Sequence, residues 1–268
     1  MINIITTSLR ARTRGPKKVV ENLIKGLEKI EYPFIINGRL DATSQLYIHD
    51  DTQALEKIKD LPDYVRPIIG PNLFINPTDI PLTLSLEKSV YIHPSSNVIS
   101  LWKKQGYNKS ALDIWPVGVD TERYKPNGQE RKNVILYFKN RTDEELRETE
   151  SILKQKNISY ELFKYGHYEE EDFRNALLGT RYVIWLGGFE SQGLALEEAL
   201  SSDVPVLLID KIPSSPSEEG ATAAPYWDDT CGLKISSIEM LEGTLEKMEE
   251  ALVTFHPRNY ILKNRHAL

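Results

Sequence analysis

Trp185-Leu-Gly187-Gly188-Phe189-Glu190-Ser-Gln-Gly193-Leu-Ala-Leu-Glu-Glu198-Ala-Leu200, followed by Val204-Pro-Val-Leu-Leu-Ile-Asp210, is the stretch on which the fold turns. Residues 181–186 read as a buried strand, rich in β-branched and aromatic side chains. Gly187 and Gly188 break it and let backbone pass close to something else. A helix is expected from about Ser191, its N-terminal amides facing whatever lies above the strand ends. On a helical wheel Leu194, Ala195, Leu196, Ala199 and Leu200 form one apolar arc. Glu197 and Ser201 fall outside the arc, and Glu198 falls inside it. A carboxylate there either finds a partner or snorkels to water from the edge of the arc.

Working outward, strands and helices alternate through the C-terminal half. Asn133–Phe138, Tyr160–Phe163 and Val204–Ile209 read as buried strands. Asp143–Lys156, Glu170–Leu178 and Ile238–Leu252 read as helices. That alternation implies a doubly wound parallel sheet, whose ligands bind beyond the carboxyl ends of the strands. Lys139, Arg141, Gly166, Gly187, Gly188 and Glu190 all lie just past strand ends. Two cations beside a helix start and a Gly-Gly turn suit a diphosphate.

The N-terminal half opens with a short strand, Ile2–Thr7, then a cationic loop of Ser8, Arg10, Arg12, Thr13, Arg14 and Gly15. Pro16 suits a first helical turn. Val19, Val20, Leu23, Ile24 and Leu27 then recur at helical spacing. Further strands are expected at Phe34–Ile36, Leu46–Ile48, Pro67–Ile69 and Ser89–His93. A helix at 97–106 and a strand with Gly and Asp turns over Ile114–Pro126 follow. Asp51 is placed as the cap of a helix over Thr52–Lys59. His93 ends a strand ahead of Pro94-Ser95, a position more often structural than catalytic. Asn127–Lys132 is polar and reads as a linker.

Composition narrows the function. The chain has 268 residues, is 40% hydrophobic and carries a net charge of −6, which argues against a general nucleic-acid binder. A single cysteine, Cys231, precludes an intrachain disulfide and a Cys cluster. No apolar run is long enough for a membrane span. Ile2–Leu9 lacks the charge order of a leader, so a cytoplasmic location is the default. His49-Asp50-Asp51 has the wrong spacing for an Asp-x-Asp metal motif, and no metal is expected. Tyr226-Trp227-Asp228-Asp229 offers a second acidic site, but reads better as a structured loop with an aromatic anchor.

Glu190-Ser-x-Gly193-Leu-x-x-x-Glu198-Ala, followed by Val204-Pro-Val, resembles the E-x7-E motif of family-four glycosyltransferases. Pro116-Val-Gly118-Val-Asp120-Thr-Glu-Arg-Tyr-Lys-Pro126 is similar to the run that ends their N-terminal domain. The resemblance implies an α/β chain of two Rossmann-like doubly wound domains facing across a cleft, the GT-B fold. It implies an acceptor-side domain over 1–126, a donor-side domain over 133–255, and a helix over 256–268 returning to the N-terminal domain. The family is usually longer, and the shortfall falls mainly in the N-terminal half.

The implied activity is transfer of a sugar from a nucleotide-diphosphate sugar to an acceptor hydroxyl, with retention and without metal. The nucleotide sugar is co-substrate rather than cofactor, and no cofactor is implied. The acceptor would be a glycan or lipid-linked glycan, which leaves room for peripheral membrane contact. Catalytic roles carry over to Glu190, Lys139 and Arg141. Donor contacts carry over to Glu198, Gly188, Phe189, Ser191, Gln192, Gly193, Leu194, Gly166 and His167. Arg14, Gly15 and His93 are expected at the acceptor or cleft side. Two rival readings share the fold: a sugar-nucleotide epimerase, and a non-catalytic sugar-nucleotide or glycan-binding module. A nicotinamide dehydrogenase is disfavoured, because neither half carries G-x-G-x-x-G after its first strand.

Overall fold

The computed structural model describes residues 1–10, 14–71, 73–82, 84, 86–215 and 218–264. The chain forms two units, Met1–Gly118 with Ser215–Gly220, and Val119–Ser214 with residues 221–264.

The N-terminal unit runs β1 (Ile2–Ile5), α1 (Arg14–Lys29), β2 (Phe34–Ile36), β3 (Gln45–Ile48), α2 (Thr52–Lys57), β4 (Ile68–Ile69), β5 (Val90–His93), α3 (Ser96–Lys104) and β6 (Ala111–Ile114). Its sheet has the order β2-β1-β3-β4-β5-β6, parallel throughout. Strand alternation sorts the side chains onto two faces. Ile4, Tyr47 and Ile92 meet Val20 of α1 on one, and Ile5, Ile48, Ile69 and Tyr91 meet Leu55 and Trp102 on the other. Asp51 caps α2, accepting from the Ala54 amide at 3.0 Å, and Ser95 caps α3. Asp50 is spent locally as well. It accepts from the amide and hydroxyl of Thr7 at 2.7 and 2.9 Å and from the Ser8 hydroxyl. Burial pushes its pKa up, but those hydrogen bonds outweigh it and hold the carboxyl below its ordinary value. The connection from β2 to β3 contains no helix.

The second unit runs β7 (Asn133–Lys139), α4 (Asp143–Gln155), β8 (Glu161–Lys164), α5 (Glu170–Leu178), β9 (Thr180–Gly187), α6 (Leu194–Ser201), β10 (Val206–Ile209), β11 (Gly232–Ile235), α7 (Leu241–Ala251) and α8 (Pro257–Asn264). Its sheet is again wholly parallel, in the order β11-β10-β9-β7-β8. β7 and β9 are central and covered on both faces, which explains their near-continuous apolar runs. One layer contains Trp185, Tyr137, Phe173 and Leu200, and the other contains Leu136, Ile184, Leu153 and Leu245. Each fully buried Leu, Ile or Phe contributes about 1.5–3 kcal/mol relative to exposure. Trp227 packs against the first layer, and Asp228 accepts from the amide of Thr230 at 2.8 Å, so that loop is anchored as its aromatic predicts.

Several expectations are corrected. The helix expected from Ser191 begins at Leu194, because Gly193 precedes it in the left-handed region at φ +90°. The division between units falls at Gly118/Val119 rather than after Pro126, since Val119 and Tyr124 are buried in the second unit's core. The terminal helix, expected on the N-terminal domain, is anchored in the second unit. Ile261 is buried with α6, and Arg258 donates to the carbonyls of Tyr124 and Ser201 at 2.9 and 2.6 Å. β11 was not foreseen: it is a short edge strand. At its start Gly232 has φ +141°, and an added Cβ would lie 2.0 Å from the Val206 carbonyl oxygen.

Candidate active site

The second unit gathers its polar groups where β7 and β9 end side by side. Lys139 pairs in register with Gly187, and the Gly188 amide donates to the Lys139 carbonyl at 2.7 Å. The two following loops are pressed together. A Cβ on Gly188 would lie 2.6 Å from the carbonyl oxygen of Asn140, so only glycine fits. This contact sets Lys139 against Glu190. Their Nζ–Oε1 distance is 2.6 Å, with side chains only 16% and 9% exposed. The ammonium also lies 4.1 Å from the centre of the Tyr165 ring, a further stabilisation of the cation. Burial raises the pKa of Glu190 above its ordinary value even with Lys139 adjacent.

Beneath this pair is an aromatic floor. Tyr137 and Trp185 stack at 3.9 Å with planes 11° apart, and the Tyr137 and Tyr168 hydroxyls meet at 3.1 Å. Beyond Glu190, the chain is fixed from the far side. The Glu190 amide donates to the Thr222 carbonyl at 2.9 Å. Asp210, at the end of β10, accepts from the Ala223 amide at 2.7 Å and the Thr222 hydroxyl at 2.6 Å. Gly193 then turns the chain into α6.

The expected site residues separate into groups. Lys139, Gly188, Glu190 and the loop containing Tyr165, Gly166 and His167 converge on one edge of the sheet. Gly166 adopts φ +82°, and both it and His167 are exposed. Phe189 is half-buried, with Lys211 Nζ 5.3 Å from its ring centre. Ser191, Gln192, Gly193 and Leu194 form the turn into α6 and its first residue.

Arg141 is placed differently from its expected phosphate role. Its Nε and Nη2 donate to Glu145 Oε1 at 2.9 and 2.6 Å, and its Nη1 donates to the carbonyls of Gly187 and Ile209 at 3.2 and 3.1 Å. With 5% of its side chain exposed, it is a strut linking α4 to the ends of β9 and β10. Glu145 is drawn in by the capping box with Thr142.

The helix α6 is buried on more sides than the wheel suggested. Glu197, expected outside the apolar arc, is fully buried and accepts from Gln192 Nε2 at 2.9 Å. Glu198 is 4% exposed. Its charge adds to burial in raising the pKa of Tyr124, whose hydroxyl donates to Glu170 at 2.9 Å.

Among the residues expected on the acceptor side, His93 is fully buried in the N-terminal unit. It stacks on Tyr91 at 4.9 Å and meets Trp102 edge-on at 4.3 Å. Neither ring nitrogen has a hydrogen-bond partner among the described residues, and burial pulls its pKa down to about 4. Gly15 lies in the first turn of α1, where an added Cβ would meet nothing within 4 Å. The side chain of Arg14, and Arg12 and Thr13 entirely, lie outside the described residues. His49 is buried between the Tyr47 hydroxyl and the Pro16 carbonyl. Among the described residues there is no group of three or more His, Cys, Asp or Glu placed to hold a metal.

Sequence reasoning missed Tyr165, Tyr137 and the Asp210–Thr222 clasp. Tyr165 carried a readable signal, an aromatic directly after a strand on the same edge as Lys139.

No family model matches the chain, and no curated protein matches it. Solved structures do. Sucrose-phosphate synthase from Thermosynechococcus elongatus superposes with a TM-score of 0.64 at 9% identity, over 99% of this chain and 94% of that one. A Streptococcus agalactiae glycosylation-associated protein complex (Gap123) matches with a TM-score of 0.56 at 13% identity, over 91% and 55%. Staphylococcus aureus TarM, solved with UDP and α-GlcNAc-glycerol, matches with a TM-score of 0.53 at 15% identity, over 91% and 51%. The class is thereby defined: two parallel-sheet, Rossmann-like units in the GT-B fold of glycosyltransferases. No helix among the described residues is long and apolar enough to cross a membrane.

Proposed function

We propose that the protein is a glycosyltransferase whose C-terminal unit binds a nucleotide-diphosphate sugar and whose N-terminal unit serves the acceptor. The observation that carries this reading is the Lys139–Glu190 pair, held over the ends of β7 and β9 beside Gly188 and the start of α6. A cation and an anion buried together where parallel-sheet ligands bind are poised for a ligand with an anionic and a hydroxylated part.

In this reading the diphosphate takes Lys139 from Glu190. The first-turn amides of α6, which have no partners within the helix, meet the same phosphates. Charge developing on the departing diphosphate is stabilised by the ammonium and the helix N-terminus. Glu190, released from its partner, faces the sugar, and Glu198 takes the ribose hydroxyls, as the E-x7-E resemblance implies. Arg141 acts at one remove, fixing the strand ends on which Lys139 and Gly188 stand. Retention of configuration and independence from metal belong to the same reading.

Incubation with a panel of nucleotide sugars tests it. Transfer or slow hydrolysis of one donor supports the reading. An isomerised donor indicates an epimerase, and binding without turnover indicates a binding module.

A further inference from the structure

An open sheet ends in outer strands whose free amides and carbonyls can pair with another chain. Among the described residues the outer strands are β2 and β6 in the N-terminal unit and β8 and β11 in the second. Three of them carry exposed charges, which discourage such pairing: Asp113 in β6, Glu161 and Lys164 in β8, and Lys234 in β11. β2 is Phe34-Ile35-Ile36 and carries none. Ile35 and Ile36 are 37% and 40% exposed, and Ile30 and Tyr32, just before the strand, are exposed as well.

The register on β1 decides which backbone groups are free. Ile2 pairs with Phe34 and Ile4 with Ile36. The Ile2 amide donates to the Pro33 carbonyl at 3.0 Å, and the Asn37 amide donates to the Ile4 carbonyl at 2.8 Å. Backbone groups alternate between the two sides of a strand. Pro33, Ile35 and Asn37 therefore turn theirs to β1, while Phe34 and Ile36 turn amide and carbonyl to the open edge. Among the described residues those groups meet no other backbone.

A second β2 laid antiparallel, with Ile35 opposite Ile35, satisfies all of them. Phe34 then faces Ile36 twice, and four hydrogen bonds close about a two-fold axis. Ile35 meets its own copy on one face of the joined sheets, and Phe34 meets Ile36 on the other. The same register is complementary in charge. Four residues out from Ile35 are Glu31 in one direction and Arg39 in the other, both exposed, so each Glu31 end meets an Arg39 end. Sliding the pair by two residues keeps the same edge but sets Glu31 against Asn37 or Asp41. We propose that β2 is a self-association edge, joining two copies of this chain through an antiparallel β2–β2 pair. Glu31 and Asn37, at φ +53° and +52°, end the strand on either side. The contact is therefore small and the dimer weak, with a dissociation constant on the order of 10–100 µM. The pairing uses N-terminal residues alone and does not rest on the donor reading.

The test is sedimentation velocity of the full chain from about 5 µM to about 1 mM, over which monomer should pass to dimer. Ile36→Pro removes an amide the fold does not use, on an edge where proline is tolerated, and should weaken the dimer about tenfold or more. Glu31→Arg and Arg39→Glu are surface changes that set like charges together at both ends, and each should weaken it about three- to tenfold. Combining them reverses the pair and should recover the wild-type constant. Amide hydrogen exchange at Phe34 and Ile36 should slow as concentration rises, whereas Ile35, already bonded to β1, should not change. A chain still monomeric at about 1 mM overturns the proposal and leaves the edge to a different partner. A dimer indifferent to Ile36→Pro, or charge variants that are not rescued in combination, overturns it by placing the contact elsewhere.

Discussion

Replacing Lys139 by Met keeps the length of the side chain and removes its charge. Glu190, 9% exposed, is then left in the same low-dielectric setting with no cation at 2.6 Å. Breaking a buried pair on one side costs about 3–5 kcal/mol when the remaining charge cannot escape. Glu190 has an escape, because burial already raises its pKa and loss of Lys139 raises it further, so it can take up a proton. The folded pKa then lies above the unfolded one. The penalty is therefore full at high pH and shrinks as pH falls towards the folded value. We expect a loss of about 2–4 kcal/mol at pH 8 and clearly less at pH 5. Adding Glu190→Gln removes the stranded charge, so the double variant should be more stable than Lys139→Met alone. Urea unfolding of the four proteins at both pH values gives the coupling directly. Nucleotide-diphosphate affinity should also fall by about 1.5–3 kcal/mol in Lys139→Met. A cycle with no coupling, together with unchanged nucleotide affinity, would refute the reasoning.

Three other outcomes follow from the same geometry. Arg141→Ala strands Glu145 and two carbonyls, so it should lower stability by about 2–4 kcal/mol; nucleotide binding that drops as far as in Lys139→Met without that stability loss would return Arg141 to direct phosphate contact. His93 is held neutral with its pKa near 4 against about 6.5 in the unfolded chain, so stability should be lost as pH falls from 6.5 towards 4, by about 3 kcal/mol in total. His93→Phe should flatten that part of the profile, and an unaltered acid limb in urea titrations would place the proton elsewhere. Transfer activity should survive EDTA, whereas loss on chelation with rescue by Mn²⁺ would contradict a mechanism carried by Lys139 and α6.

The fold was legible because β7 and β9 are buried on both faces and read as unbroken apolar runs, while α4 and α5 show clear helical periods. Edge elements were less legible. β11 is short and carries Lys234, and β6 begins at Ala111 with a composition weak in strand formers. The helical wheel treats a helix as one-sided, so it set Glu197 outside the core, whereas α6 is packed on nearly every side. Arg141 shows the limit most clearly. A cation just after a strand can face a ligand or turn back into the protein. Thr142-x-x-Glu145, a capping box in plain view, holds the carboxylate that turns it back. The gathering of Lys139, Gly188 and Glu190 followed from strand ends alone, but the Tyr165 ring beside them depended on loop geometry that periodicity does not encode.

The central claim is that Glu190 and Glu198 serve one donor in different ways, and calorimetry with turnover on Glu190→Gln and Glu198→Gln tests it most directly. Loss of Glu198 should weaken the free nucleotide and the intact nucleotide sugar alike, because both carry the ribose. Loss of Glu190 should lower turnover while leaving free-nucleotide affinity undiminished, since Lys139 is then released for the phosphates. Wild-type turnover and wild-type nucleotide affinity in both folded variants would contradict the account.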